Sequence, residues 1–206
     1  MSEFRVNSIT NQDGSAGPQV CGVSTFSGKS GFQIPSGSSE FRRQDGGGRG
    51  RAIAAGGRVS PANQNTIDFV EIATTGNASD FGDMSTRCGH SGAVSSSTRG
   101  VVHVTFTPAS TYTSTLEYIT ISSGGGSNDF GDRTVSTIMS KHTSGNNTRG
   151  VFGGGRTAPN ASINVIDFVT IASTGDASDF GDLTVIRSMG GGSGDTTRGI
   201  IMGGGS

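Results

Sequence analysis

Three markers recur along this chain in a fixed order and with a common period. Asp80-Phe81-Gly82-Asp83 returns as Asp129-Phe130-Gly131-Asp132 and as Asp179-Phe180-Gly181-Asp182, at spacings of 49 and 50 residues. Ile67-Asp68-Phe69-Val70 returns as Leu116-Glu117-Tyr118-Ile119 and Ile166-Asp167-Phe168-Val169, at the same spacings. Thr98-Arg99-Gly100-Val101 is followed by Thr148-Arg149-Gly150-Val151 and Thr197-Arg198-Gly199-Ile200, with Arg51-Ala52-Ile53 as a worn copy ahead of them. A shared period of this length marks stacked supersecondary units, none of which can bury its apolar faces alone.

The residues between the markers point to an all-β fold. Of 206 residues 36 are glycine, only 31% are hydrophobic and none is tryptophan, which favours thin β-layers with many tight turns over a thick core. Val151 to Gly155 reads as a strand ending in a glycine turn, Ile163 to Ala172 as a second strand, and Thr184 to Met189 as a third that Gly190-Gly191-Gly192 breaks. In the middle strand Ile166 and Phe168 lie on one face, Val169 and Ile171 on the other. Side chains alternate along a strand, so both faces need cover. The repeat domain spans residues 41–206, with units at about 49–97, 98–147 and 148–196 and a terminal fragment at 197–206. Residues 1–40 read as an extended docking segment that lacks the apolar content for its own core. Three units are few for a closed ring of four to eight. Association of several copies, an open array capped by other proteins, strands supplied by the N-terminal region, and pairing of the terminal fragment with the first unit all remain open.

Candidate chemistry is sparse. The formal net charge is −1, with no basic run of the kind that meets nucleic acid or a membrane surface. The N-terminus has no apolar signal core, and no run approaches the ~18 apolar residues of a membrane-spanning helix. Asp-Phe-Gly is also a magnesium-binding tripeptide of kinases, but here it occurs three times without the accompanying nucleotide loop. Its repetition assigns it to the scaffold, as a turn whose phenylalanines, Phe81, Phe130 and Phe180, plug the spaces between units. Asn77 to Asp83 and Asp176 to Asp182 gather oxygen ligands of the type calcium takes, in a spacing unlike the helix-loop-helix calcium site. Arg99, Arg149 and Arg198 recur alongside Asp68, Glu117 and Asp167, and pairing between strands is expected of some. His90, His103 and His142 show no metal-ligand spacing, and Cys21 and Cys88 read as separate small apolar residues. No catalytic, cofactor or metal residues are assigned. The segments that differ between units are candidate binding loops: Pro61 and Asn63, Pro108 and Tyr112, Pro159 and Asn160. His103 to Phe106, where another unit has a glycine run, is a candidate partner contact.

Gly153-Gly154-Gly155 after a short strand, at a period near fifty, resembles the glycine doublet of kelch repeats. The kelch tryptophan is missing. The fuller pattern, Thr-Arg-Gly-Val-Phe-Gly-Gly-Gly, Ile-Asp-Phe-Val-Thr-Ile and Asp-Phe-Gly-Asp, resembles kelch-like repeats in virion structural proteins of marine tailed phages, particularly those of cyanobacteria. Phe4 to Ile9 and Gly31 to Gly37 are similar to leader segments of such proteins. That resemblance implies a β-propeller-like or open blade array with an extended N-terminal anchor. It implies a non-enzymatic virion component without cofactor, in a tail fibre, appendage or capsid decoration, working through homo-oligomers and other virion proteins. The alternative is a glycan-binding adhesin that reads the host surface through its variable loops.

Overall fold

The computed structural model describes residues 50–105 and 111–205; the N-terminal segment over residues 1–40, Cys21, Phe106 and Pro108 lie outside them. The described chain is all β, in several small antiparallel sheets with no helix. β1 (Arg51–Val59), β2 (Ala62–Glu71) and β3 (Ser79–Cys88) form the first sheet. β4 (Ala93–Ser95), β5 (Arg99–His103), β6 (Thr113–Thr120) and β7 (Asn128–Thr137) form the second. The third takes β8 (His142–Gly145), β9 (Arg149–Gly153), β12 (Val165–Thr170) and β13 (Ser178–Asp182), with a small hairpin of β10 (Arg156–Thr157) and β11 (Ala161–Ser162) inserted after β9. β14 (Gly191–Gly194) and β15 (Gly199–Met202) pair with each other, so the terminal fragment does not pair with the first sheet.

One register runs through all three sheets. Arg51 faces Glu71, Arg99 faces Thr120 and Arg149 faces Thr170. The second and third sheets each begin one strand before the Thr-Arg-Gly marker, because that marker closes a hairpin. In the second sheet Ser96 Oγ accepts the N–H groups of Thr98 and Arg99; Asn146 Oδ1 does the same for Thr148 and Arg149, and Asp195 Oδ1 for Thr197 and Arg198. These side chains satisfy backbone donors at a chain reversal, a role short polar residues fill in turns. The same amides hold the Asp195 carboxyl below its ordinary range. The hairpin β14–β15 therefore takes up Gly191 and Gly192, where a strand break was expected.

Asp-Phe-Gly-Asp is a β-bulge within a strand, not a turn. Asp68 faces Asp80 and Ile67 faces Gly82, which leaves Phe81 as the extra residue. Phe130 and Phe180 occupy the same place in the other two sheets. The bulge needs a left-handed backbone at its glycine, with φ of 140° at Gly82, 136° at Gly131 and 130° at Gly181. Asp80 and Asp179 each accept the N–H of that glycine. Their oxygens are thus engaged in shaping the bulge, and no group of three metal-ligating side chains gathers among the described residues.

The apolar residues bury between sheets rather than within them. Ile67, Phe81, Met84 and Cys88 of the first sheet pack on Val102, Val104 and Ile119 of the second. Val94, Val101, Leu116 and Phe130 of the second pack on Phe152, Val169 and Ile171 of the third. Burial raises the pKa of the free Cys88 thiol. The far side of the third sheet has no such cover among the described residues: Phe180 is 51% exposed, against 6% for Phe81 and 2% for Phe130. There β13 ends at Asp182, and the expected strand from Thr184 to Met189 reduces to a bridge between Ser188 and Gly205.

Candidate functional site

The feature that repeats is a joint between successive sheets, and every marker takes part in it. Gly125 N–H donates to Phe81 O at 2.7 Å, and Ser127 N–H to Asp83 O at 3.0 Å. One period later Gly175 N–H donates to Phe130 O at 2.7 Å, and Ala177 N–H to Asp132 O at 2.8 Å. The bulge thus turns two carbonyls toward amides of the next sheet. It also brings the backbones close: a Cβ on Gly131 would lie 2.6 Å from the carbonyl carbon and oxygen of Gly175, as one on Gly82 would from Gly125. Gly181 has nothing within 4 Å. Gly131→Ala is therefore expected to cost roughly 2–3 kcal/mol, from backbone strain and an unyielding backbone contact, and Gly181→Ala only the strain, about 1 kcal/mol. Chemical denaturation of the two variants checks the difference.

The recurrent arginines close a second part of the joint. Arg99 lies over the Tyr118 ring, 4.2 Å from its centroid, and its Nη1 donates to Ile171 O at 3.0 Å. Arg51 lies over Phe69 at 4.6 Å and donates to Ile121 O at 3.2 Å. Arg149 lies over Phe168 at 4.3 Å, with no carbonyl partner among the described residues. The expected pairing of Arg99, Arg149 or Arg198 with Asp68, Glu117 or Asp167 does not occur. A planar guanidinium at the strand edge stacks on its own sheet's aromatic ring and reaches a backbone carbonyl beyond.

The recurrent carboxylates instead reach back to the preceding sheet. Glu117 accepts from Ser85 N–H at 3.2 Å and from the hydroxyls of Ser85 and Ser127. Asp167 accepts from Thr134 N–H at 3.0 Å and Thr134 Oγ1 at 2.9 Å. It also pairs with Arg133, whose Nε lies 2.9 Å from Oδ1, and both side chains are fully buried. Arg133 Nη1 donates to Thr137 Oγ1 at 3.1 Å and Ser140 Oγ at 2.6 Å. Burial alone would lower the Arg133 pKa, and the Asp167 carboxylate opposes that. Arg133 does not repeat, so periodicity carries no signal for it; Met84 and Leu183 hold its place in the other sheets. Asp68 is half-buried and has no side-chain partner among the described residues.

The overall architecture has a counterpart among solved structures. It resembles YjhT. The structure titled "Structure of YjhT" aligns with a TM-score of 0.57 over 72% of this chain and 54% of that one, at 7% sequence identity. At that identity the likeness is one of fold alone, and this chain spans little more than half of YjhT. No protein-family model matches the chain, and no curated protein matches it.

The candidate binding loops divide. Asn63 lies within β2 and is buried; it is not a loop residue. Pro61 is exposed at the β1–β2 turn. Tyr112 and Asn160, from loops of successive repeats, meet through a 3.0 Å hydrogen bond from Tyr112 Oη to Asn160 Oδ1, with exposed Pro159 beside them. The candidate partner contact at His103, Val104 and Thr105 is instead core, each 2% exposed or less. His103 Nε2 lies 3.1 Å from Thr113 O, and the ring meets Phe152 edge to face. Burial, with the Arg133 charge adding to it, lowers the His103 pKa to about 3.

Proposed function

We propose that this chain is a non-enzymatic architectural protein: a kelch-like, propeller-type array of blades that serves as a structural component of a phage particle. The observation that supports this most is that one joint is built twice from the repeated markers, so the recurring residues are spent on stacking one sheet on the next. A reactive centre is needed once, whereas a joint is needed at every interface. The virion setting rests on the resemblance of the repeat pattern to kelch-like virion proteins. Mass spectrometry of purified particles tests it. The chain is expected among the structural proteins, and its absence from particles whose genome encodes it would overturn the reading.

A second reading has one observation in its favour. The Tyr112–Asn160 contact brings variable loops of two repeats together at one rim, the arrangement of a composite binding surface on a rigid scaffold. In that reading the chain is an adhesin for host glycans. Binding on a glycan array, lost on Tyr112→Ala, would select it over a purely architectural role.

A further inference from the structure

The strands of the three sheets run between two ends, and charge is divided unequally between them. The sheets stack with like ends together: Gly89 N–H donates to Thr105 O at 3.0 Å, and Met189 N–H to Met139 O at 3.1 Å. At one end lie the Thr-Arg-Gly hairpins, where Arg51, Arg99, Arg149 and Arg198 stand beside the aspartates of the repeated bulges. At the other end β1 turns into β2, β3 stops at Cys88, β7 stops at Thr137, and β10 and β11 form their hairpin. The charged and titratable side chains on the surface there are Arg58, Arg87, His90, Lys141, Arg156 and Arg187; the first two are exposed and the others half-buried. Among the described residues no aspartate or glutamate shares that end. Each falls within 68–83, 117–132 or 167–182, or at Asp195, which strand pairing places at mid-strand or toward the opposite end. A chain with a formal net charge of −1 thus folds with one basic end, built from cations that are scattered in the sequence.

The cations converge around the link between the first and second sheets. A Cβ on Gly89 would lie 3.6 Å from Cβ of Arg58, and one on Gly92 would lie 3.4 Å from Cα of Lys141. Arg58 and Lys141, from different repeats, therefore flank the short link that carries His90. Burial, then the Lys141 and Arg58 charges, lower the His90 pKa, with no carboxylate nearby to oppose them. Further along the same end, Arg156 Nε donates to Ser188 Oγ at 3.1 Å and Arg187 Nη1 to Gly203 O at 3.4 Å. Both partners are neutral, so neither charge is offset. The Tyr112–Asn160 contact and exposed Pro61 and Pro159 share this end. We propose that it is a binding face for an acidic polysaccharide, whose carboxylate or sulfate groups meet Arg58 and Lys141 while the polar loops around Tyr112 and Asn160 meet its hydroxyls. Cations set singly on loops of different repeats suit charges spaced along a chain of sugars. A nucleic acid draws in addition on aromatic platforms for its bases. Among the described residues Tyr112 is the one Phe or Tyr side chain outside the core at this end, and its hydroxyl is engaged by Asn160. The aspartates of the opposite end repel a polyanion, so charge selects the end it meets.

The proposal rests on the adhesin reading and names its ligand class. Biolayer interferometry of the full chain at low ionic strength tests it, on immobilised alginate and dextran sulfate, with neutral dextran and an oligothymidylate for comparison. An acidic polymer is expected to bind, dextran not to bind, and the oligonucleotide to bind more weakly. Lys141→Glu and Arg58→Glu should each lower the affinity about tenfold or more with an unchanged far-ultraviolet spectrum, because each sets a like charge against the ligand. Arg198→Glu makes the same change of charge at the opposite end, on an exposed side chain, and should alter the affinity less than about twofold. Equal losses for Lys141→Glu and Arg198→Glu, no loss for Lys141→Glu and Arg58→Glu, or tighter binding of the oligonucleotide overturns the proposal. Binding to neutral glycans alone, on dextran or on a glycan array, overturns it and leaves the adhesin reading standing. A chain that binds no glycan of either kind defeats both.

Discussion

Replacing Asp167 by asparagine is expected to destabilise the repeat array by about 3–5 kcal/mol, the cost of leaving a buried charge without its partner. Asparagine keeps the shape and can still accept from Thr134, so the two Thr134 bonds are not the main loss. The loss lies at Arg133, whose side chain is fully buried and whose Nε and Nη2 both approach Oδ1 at 2.9 Å. Without the carboxylate, its charge retains only the hydroxyls of Thr137 and Ser140 and the Phe152 ring, 5.7 Å away. The same substitution at Asp68, half-buried and unpartnered, should stay within about 0.5 kcal/mol in the isolated chain. Urea denaturation of the two variants gives the comparison. A double variant, Asp167→Asn with Arg133→Met, should recover most of the loss, because the first sheet already places Met84 at that position. Equal effects at Asp167 and Asp68 would show that the ion pair is not what holds the second joint.

The period, the strands and the burial of apolar residues between units were legible, because stacking requires each unit to present the same side chains at the same places. Phe81 and Phe130 fill the interior as expected. Phe180 does not, since a residue's burial depends on the sheet that follows, and no local pattern records whether one does. Asp-Phe-Gly-Asp was read as a turn because Asp and Gly favour turns; its pairing with the middle strand, which makes it a bulge, is a long-range fact. The recurrent arginines and carboxylates do not pair with each other as opposite charge suggests; geometry sends Arg99 to a carbonyl and Glu117 to a serine amide. Arg133 escapes a search for repetition, which discards what occurs once, and His103, expected at a partner contact because its unit lacks the glycine run, is core. Their position matters for that reason: each introduces a polar group into a joint or core where the other repeats place an apolar or small residue.

Acidification is expected to act mainly through His103. Its pKa falls from the ordinary 6.5 to about 3 on folding. The unfolded chain therefore takes up a proton below pH 6.5 that the folded chain refuses until about pH 3, and stability falls throughout that interval as pH decreases. At 1.36 kcal/mol per pH unit the full interval amounts to about 5 kcal/mol, of which about half is lost near pH 4.7, above the range where most carboxylates protonate. His142, also buried and lowered in pKa, adds in the same direction. The ring of His103 sits among Phe152, Thr113 O and the Arg133 charge, so protonation would place a second cation in an interior that already holds one. His103→Phe removes the titration and keeps the edge-to-face contact, at the expense of the bond to Thr113 O, worth about 1 kcal/mol. The variant should thus be slightly less stable than the wild type at pH 7.5 and more stable at pH 4.7, the two curves crossing between pH 5 and 6.5. Melting temperatures across that range measure it, and parallel curves for the two proteins would mean that another group governs the acid response.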